Sequence, residues 1–244
     1  MKSVMYCFLL YSLSLMVFLT GSSQAAEYKA SIANMPGYAE STEKGVLVDF
    51  VKAMSKASGT PISIVVEPFA RSMNNAVEAR TADFHLPLIV PPTPPPNHDF
   101  STAVIFHVNF TLYTNKDSKV TRDNLDQFKI ETDNAHIAYI KEKTTGSSSL
   151  ENSLKKVDAG RLDGFIFADF ACDPIIKTDK LKNIKRTLYH RFDVKIVLPK
   201  GGNGGPVDKF LTETIEKLKA SGEFAKIMDS IDTPFDPWQP YEME

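Results

Sequence analysis

Four polar side chains stand at positions where they could bind a small molecule. Arg71 lies at the junction between an expected strand and the helix that follows it. Asp133 and His136 are three residues apart at an expected helix start, so both can face one ligand. Asp169 directly follows an apolar run that is typical of a buried strand. A cation and two acids in such places predict a binding site of mixed charge.

Each candidate also has a purely structural interpretation. Arg71 could pair with Glu67 or Glu78 on a solvated helix face. Asp133 and Asp169 could each cap the helix that follows by accepting backbone N–H groups. Aromatic residues near strand ends could stack on a ligand across a cleft, or they could belong to the core: Tyr38, Phe69 and Phe170.

The elements that must position these residues are clearest between Ser148 and Phe170. Ser148 and Glu151 form an S-x-x-E capping box at the start of a predicted helix, and Gly160 ends that helix. Its apolar face has helical spacing, at Leu150, Leu154 and Val157. The run that follows is apolar at almost every position, which indicates a strand covered on both faces of a sheet.

An earlier stretch, from Arg71 to Leu88, has the same order of helix, turn and apolar run. Tyr28 to Ala33 and Pro61 to Glu67 are predicted strands, and Gly59 ends the helix between them. Strands that alternate with helices indicate an α/β fold, and two similar units predict two similar lobes. Tyr38 follows the first strand at its carboxyl end, where ligands bind in open α/β sheets.

Two strands are expected to carry the chain between the lobes. Val104 to Tyr113 is long enough to leave the first lobe. Ile184 to Leu188 and Asp193 to Leu198 are predicted as separate strands, and the second of them returns the chain. The crossings are therefore predicted near residues 104 to 108 and 190 to 194.

Three further segments complete the expected architecture. A helix from about Asn134 to Lys143 belongs to the second lobe. The proline run at residues 91 to 96 cannot be helical, and it is predicted to be a stiff surface connection. The tail from Pro234 to Tyr241, which contains the only Trp, is expected to pack on the first lobe.

The composition argues against several partners and sites. The formal net charge of −2 makes nucleic acid an unexpected partner. The five His are scattered and no Cys or His pair has ligand spacing, so neither a metal site nor another cofactor is predicted. Cys7 lies in the predicted leader and Cys172 is the other cysteine, so no intramolecular disulfide is expected.

The N-terminus predicts export. Lys2 precedes an uncharged stretch from Val4 to Leu19, and small residues up to Ala25 suit a signal-peptidase site. The apolar run is shorter than the roughly 20 residues that span a membrane comfortably. We expect residues 1–25 to be cleaved as a signal peptide, which releases a soluble periplasmic monomer. Mass spectrometry of the exported protein checks this expectation, and a retained N-terminus would contradict it.

Several short motifs resemble the bacterial extracellular solute-binding proteins of family 3, the amino-acid-type periplasmic receptors of ABC importers. In chain order they are Gly45 with Asp49-Phe50, Ala82-Asp83, Asp99-Phe100-Ser101, Val157 to Asp163, Leu198 to Gly201 and Lys217 to Gly222. The resemblance spans essentially the whole mature chain. It implies a type II periplasmic-binding-protein fold, in which two α/β lobes are joined by two crossover strands and close on a ligand like a hinge. The implied lobes are residues 26–105 with 193–244, and residues 106–192.

The ligand clamp of that family is only partly present in this sequence. The family's carboxylate-binding Arg would fall near Pro94, and the Gly-Thr pair of the second lobe is replaced by residues 133 to 136. Asp169 is interpreted as a shifted counterpart of the acid that receives the amino group. Ligand preference is therefore expected to rest on Arg71 from one lobe and on Asp133, His136 or Asp169 from the other. Such a clamp suits a polar or zwitterionic solute.

The leading functional hypothesis is a non-enzymatic periplasmic binding protein that captures a small polar solute for an ABC permease. One alternative is an enzyme on the same fold, similar to the family's dehydratase relatives, with Asp133, His136 or Asp169 as general acid or base. Neither a Ser-His-Asp nor a Cys-His pattern is present, so no catalytic residue is predicted. Another alternative is a ligand sensor whose closed form contacts a membrane sensor protein.

Overall fold

Strands and helices alternate along the chain, as the sequence predicts. The structure, a computed structural model, describes residues 27–243, so the predicted cleavage after Ala25 lies outside the described residues. The strands are β1 Tyr28–Ala33, β2 Ile62–Glu67, β3 Phe84–Ile89, β4 His98–Asn115, β5 Ile130–Asp133, β6 Thr145–Ser147, β7 Gly164–Ala168 and β8 Ile184–Pro199. The α-helices are α1 Val46–Ser58, α2 Phe69–Val77, α3 Leu150–Asp158, α4 Asp169–Asp179, α5 Pro206–Ser221 and α6 Glu223–Met228.

All eight strands form one mixed sheet in the order β2-β1-β3-β8-β4-β7-β5-β6. β1, β2 and β3 form a parallel group at one end, and β5, β6 and β7 form a second parallel group at the other. The long strands β4 and β8 lie between these groups and pair antiparallel with each other. β4 therefore carries the chain from the first group to the second, and β8 brings it back.

The return strand differs from its prediction. β8 is one continuous strand, whereas the sequence predicted two strands separated near residues 189 to 192. The polar residues His190 and Arg191 stay in the ladder because they pair with Phe110 and Asn109 of β4. Both are exposed while Tyr189 and Phe192 are buried, so the bulge opposite residues 110 and 111 interrupts the side-chain alternation but does not end the strand.

The start of α3 lies one residue later than predicted. The N-cap is Ser149, whose Oγ accepts a hydrogen bond from the backbone N–H of Asn152 at 3.2 Å. Glu151 pairs with Lys155 on the solvated face of the helix. The predicted capping box of Ser148 and Glu151 is therefore wrong, because β6 continues to residue 147 and delays the first helical turn.

The helix predicted from about Asn134 to Lys143 is a short 3₁₀ helix, Asn134–Tyr139. It has no buried residue, so it lacks the apolar face that would stabilise a longer α-helix. Asp133 caps it, since the carboxylate Oδ1 accepts from the backbone N–H of Ala135 at 2.9 Å. Two other 3₁₀ helices are Arg122–Gln127 and Pro240–Glu242.

The C-terminal tail packs on the second group of strands, contrary to the prediction that it lies on the first lobe. Trp238 contacts a buried cluster that includes Tyr113 of β4 and Phe165 of β7. The guanidinium of Arg186 in β8 lies 4.1 Å from the Trp238 ring centroid and donates to the carbonyl oxygen of Trp238 at 2.6 Å. A buried cation on β8 therefore selects the surface on which the tail lies.

The hydrophobic core continues across the sheet. Helices α1 and α5 contribute Phe50, Met54 and Leu211 to a cluster that extends through Phe106 and Phe192 of the crossing strands. The crossing strands β4 and β8 therefore pack against the helices of the first group of strands. Within residues 27–243, no helix is both long and apolar enough to cross a membrane.

Candidate functional site

A cavity of about 580 Å³ lies where the carboxyl ends of both groups of parallel strands meet. Such edges are where α/β sheets bind ligands, and the volume is in the range of small-molecule sites. Segments that follow β1, β2, β5 and β7 contribute to its wall, and β4 lies beneath it. The residues lining this cavity, which we call the aromatic cleft, are Met35, Tyr38, Phe69, Pro87, Leu88, Ile89, Phe106, Val108, Phe110, Ala135, His136, Tyr139, Phe167, Ala168, Phe170, Ala171 and Val194.

Two aromatic side chains of the cleft are exposed although they are large and apolar. Phe69, at the start of α2, is 42% exposed, and Phe170, at the start of α4, is 49% exposed. They come from opposite sides of the cleft, since α2 follows the first group of strands and α4 follows β7. An exposed apolar surface inside a cavity is typical of a place where a ligand or partner binds.

Tyr38 is held by a tight turn after β1. Met35 and Ala39 form an isolated antiparallel bridge, and the Tyr38 N–H donates to the Met35 carbonyl at 3.1 Å. Gly45 packs behind this turn with φ 134°, and a Cβ there would lie 2.4 Å from the Tyr38 carbonyl oxygen. The ring contacts Phe170 at 5.9 Å between centroids. Burial, together with the nearby Asp169 carboxylate, raises the pKa of Tyr38 to about 12.

His136 lines the cleft, and Asp133 orients it. The Nδ1 atom of His136 lies 2.9 Å from Oδ1 of Asp133. A carboxylate accepts hydrogen bonds, so Nδ1 carries a proton, and whenever the ring is neutral Nε2 is an acceptor. The ring packs between Phe110 and Phe167 at centroid distances of 5.7 and 5.0 Å. Asp133 is not a lining residue, and its role in the structure is to cap the 3₁₀ helix and fix the imidazole.

Arg71 is exposed and is not part of the cleft wall. It lies two positions after Phe69 on α2, which rotates its side chain by about 200° around the helix axis. Phe69 faces the cavity, so Arg71 faces elsewhere. The structure therefore does not place Arg71 where it would clamp a ligand in this cavity, contrary to the expectation from sequence.

Asp169 lies on the other side of the end of β7 from the aromatic cleft. Ala168, the last residue of β7, lines the cleft and pairs with Phe110, whereas Asp169, the first residue of α4, is not a lining residue. Asp169 instead lines a smaller cavity of about 210 Å³ with Asn109, whose Nδ2 donates to Oδ2 of Asp169 at 3.1 Å. Burial raises the pKa of Asp169. Tyr38 and Phe170 form part of the wall of both cavities.

Several lining residues were not predicted from the sequence. Phe106, Val108 and Phe110 occupy alternate positions of β4 and present one face to the cleft. The i, i+2, i+4 spacing of these apolar residues is the sequence signal that could have identified them as one face of a strand. Tyr139 also lines the cleft, and its hydroxyl donates to the Ile89 carbonyl at 3.2 Å across the two groups of strands. Nothing in the local sequence identifies that contact.

A second cavity, of about 700 Å³, adjoins Tyr139 and is lined by charged residues. Two of its charged residues already have partners: Arg191 pairs with Asp232 at 2.6 Å, and Glu142 accepts from the Tyr189 hydroxyl at 2.6 Å. None of the candidate residues predicted from the sequence lines this second cavity. The aromatic cleft, by contrast, contains Tyr38, Phe69, His136 and Phe170. The aromatic cleft is therefore the candidate site. Among residues 27–243, no group of three or more His, Cys, Asp or Glu side chains could hold a metal ion.

Comparisons with known proteins bear on the fold. No protein-family model matches this sequence, and no curated protein matches it significantly. The fold is similar to the GluR0 ligand-binding core from Nostoc punctiforme in complex with L-glutamate, with a TM-score of 0.59 and 13% identity over 84% of this chain and 100% of that one. It is similar to a histidine kinase sensor domain that itself resembles periplasmic binding proteins, with a TM-score of 0.58 and 14% identity over 84% and 95% of the two chains.

A third similar structure is an arginine-specific periplasmic binding protein from Salmonella typhimurium. Its TM-score is 0.55, and it is 16% identical over 86% of this chain and 100% of that one. At these identities the similarity establishes architecture and leaves the ligand open. The chain has the two-lobed α/β fold of the periplasmic binding proteins, with β4 and β8 as the two crossover strands.

Proposed function

We propose that this chain is a periplasmic solute-binding protein that captures a small solute in the aromatic cleft and delivers it to an ABC permease. The observation that carries the proposal is the cleft itself, a cavity of small-molecule size walled by side chains from both groups of strands. Similar structures include a ligand-binding core in complex with glutamate and an arginine-specific periplasmic binding protein. Binding, with no chemical change of the ligand, is the assigned activity.

The proposed lobes are residues 26–105 with 193–244, and residues 106–192, although the tail from residue 234 packs on the second of these lobes. Closure would occur about β4 near residues 104 to 108 and about β8 near residues 190 to 194. Phe69 and Phe170 approach the cavity from different lobes in this division, so ligand contact with both would favour the closed form. A ligand shifts such an equilibrium only through its different affinities for the open and closed states.

A thermal-shift screen tests the proposal. Amino acids, amines, small peptides, carboxylates, sugars and neutral aromatic compounds are added to the mature protein. A ligand at about 100 times its Kd adds about 2.7 kcal/mol, which raises the Tm of a chain of this length by about 5–10 °C. We expect at least one class to give such a shift, and recovery of unchanged ligand separates a binding protein from an enzyme. A complete screen without any shift would contradict the proposal.

Variants measured with the identified ligand in the same assay test where the ligand binds. Phe170→Ala should weaken binding of the identified ligand by about tenfold or more, because it removes an aromatic contact that packs little against the core. Tyr241→Ala is the matched control, since Tyr241 is similarly exposed, at 41%, and lies outside the cleft. Equal affinity of the Phe170→Ala and wild-type proteins would place the ligand elsewhere.

A sensing role is the second candidate function. The observation that favours it is structural similarity to a histidine kinase sensor domain and to the periplasmic VFT2 domain of BvgS from Bordetella pertussis. In that role the closed protein would contact a membrane sensor. Uptake of the identified ligand by cells that lack this protein separates the two roles, because an import role predicts reduced uptake and a sensing role predicts unchanged uptake.

A further inference from the structure

The wall of the aromatic cleft lacks fixed charge. Among the described residues that line it there is no Lys, Arg, Asp or Glu. A carboxylate that left water for this cavity would find no cation to compensate its lost hydration, which is costly in an apolar environment. The cleft therefore disfavours the charged group that all amino acids share.

The rings of the cleft favour a different kind of ligand. Seven Phe and Tyr side chains line it, and Phe69 and Phe170 leave apolar area uncovered on its two sides. Aromatic rings prefer offset-stacked or edge-to-face contact with other rings. Tyr38 and Phe170 already meet with a tilt of 57°. A planar aromatic body would extend these ring contacts and would bury the exposed area of Phe69 and Phe170.

His136 supplies one polar contact of defined direction. Its Nδ1 is committed to Asp133, whereas Nε2 makes no hydrogen bond to any residue between 27 and 243. Nε2 of the neutral ring is an acceptor, so its partner must be an N–H or O–H donor. The surrounding rings of Phe110, Phe167 and Tyr139 keep the imidazole in place. A ligand in the cleft can therefore gain a hydrogen bond by donating to His136.

We propose that the ligand of the aromatic cleft is a planar aromatic compound that carries an N–H or O–H donor and has no carboxylate. Its ring contacts Phe69 and Phe170, and its donor bonds to Nε2 of His136. This inference rests on the proposed solute-binding function and narrows its ligand class. The proposed ligand differs from a standard amino acid because it lacks a carboxylate.

Isothermal titration calorimetry with three matched indoles tests the ligand class. Indole-3-ethanol is neutral, tryptamine carries an amine, and L-tryptophan adds a carboxylate to tryptamine. We expect the first two to bind at least about tenfold more tightly than L-tryptophan, because ring faces attract the ammonium of tryptamine, whereas no fixed cation in the cleft compensates the carboxylate of L-tryptophan. L-tryptophan binding as tightly as tryptamine would overturn the inference.

Two variants test the contacts. His136→Phe keeps a ring between Phe110 and Phe167 but removes Nε2, so indole-3-ethanol should bind about tenfold more weakly. Phe69→Ala should also weaken binding. Tyr241→Ala, outside the cleft, should leave the affinity unchanged. Unchanged affinity in His136→Phe would show that the imidazole is not the acceptor and would overturn that part of the inference.

Failure of this inference and failure of the proposed function give different results. If the three indoles do not bind and the thermal-shift screen identifies a sugar, peptide or carboxylate that Phe170→Ala weakens, the ligand class is wrong and solute binding in the cleft stands. If the screen identifies a ring compound with a donor and no carboxylate, the inference is supported. If no compound in the screen binds, the proposed function fails and this inference fails with it.

Discussion

Replacing Arg186 with methionine is expected to lower the free energy of unfolding by about 3–5 kcal/mol, because it breaks a buried ion pair by removing one partner. The Arg186 side chain is fully buried, and its Nη2 lies 2.6 Å from Oδ2 of Asp173. Nη1 donates to the carbonyl oxygens of Asp236 and Trp238 at 2.9 and 2.6 Å. Methionine fills part of the volume but supplies no charge and no donor, so two tail carbonyls lose the Arg186 donor and the Asp173 carboxylate keeps the Tyr113 hydroxyl but loses its cation.

This loss of stability should depend on pH. Burial raises the pKa of Asp173 even though the Arg186 guanidinium opposes that shift, and without Arg186 the folded-state pKa should rise further. A carboxyl whose folded pKa lies above its unfolded value destabilises the protein when it is ionised, and protonation relieves that cost. The difference in the free energy of unfolding between the variant and the wild type should therefore narrow as the pH falls through the pKa of Asp173 in the folded variant.

Denaturant unfolding at several pH values measures both effects. Arg191→Met is the matched control, since its pair with Asp232 is partly solvated, with side chains 38% and 22% exposed. Exposed pairs contribute about 0–1 kcal/mol. A loss in Arg186→Met no larger than that in Arg191→Met would show that the buried pair adds little. Limited proteolysis gives a second reading, because the tail should become easier to cleave when Arg186 no longer holds it.

Asp208→Ala is expected to lower the free energy of unfolding by about 2–3 kcal/mol, because it removes a buried carboxylate that accepts three charge-assisted hydrogen bonds from two other segments. Asp208 is 1% exposed and lies in the first turn of α5. Its carboxylate accepts from the backbone N–H and hydroxyl of Thr102 at 2.7 and 2.8 Å and from the N–H of Gly204 at 2.8 Å. One side chain thus joins β4, the glycine-rich loop before α5, and the start of that helix.

The contribution of Asp208 should be lost in acid. Burial alone would raise the pKa of this carboxyl, but the N–H groups of Gly204 and Thr102 outweigh burial and lower it below the usual value. A lowered folded pKa stabilises the protein above the unfolded pKa of about 3.9, and that contribution disappears as the pH falls through the folded pKa. Glu213→Ala, exposed on the same helix, is the control. Equal stabilities of the two variants at neutral pH would contradict the prediction.

The sequence alone determined the local elements and the fold class. β1 was predicted with its observed bounds, and Gly59 ends α1 in the left-handed conformation with φ 71°. The buried strand after residue 163 is β7. These predictions succeed because helical spacing, unbroken apolar runs and glycine at a helix end act within about ten residues. The two-lobed architecture followed from the repetition of such units and from the resemblance of short motifs.

Orientation around an element was decided by the tertiary structure. Phe69 and Arg71 were both candidates, but the rotation of α2 against the sheet turns Phe69 into the cleft and Arg71 away from it. Ala168 and Asp169 differ in a similar way, because β7 ends at Ala168, which lines the cleft, and α4 begins at Asp169, which lines the smaller cavity. Sequence spacing alone does not fix the residue at which the strand changes into the helix.

Contacts between distant segments were also beyond local reasoning. Asn109 meets Asp169 across 60 positions, and the tail meets Arg186 across about 50. Tyr139 reaches Ile89 only because β4 and β8 bring the two groups of strands together. Sequence patterns indicate which side chains of an element are buried, because buried positions repeat with the period of the helix or strand. Which partner covers each buried or exposed face depends on how the elements pack, and that is why the aromatic cleft became visible only in the folded chain.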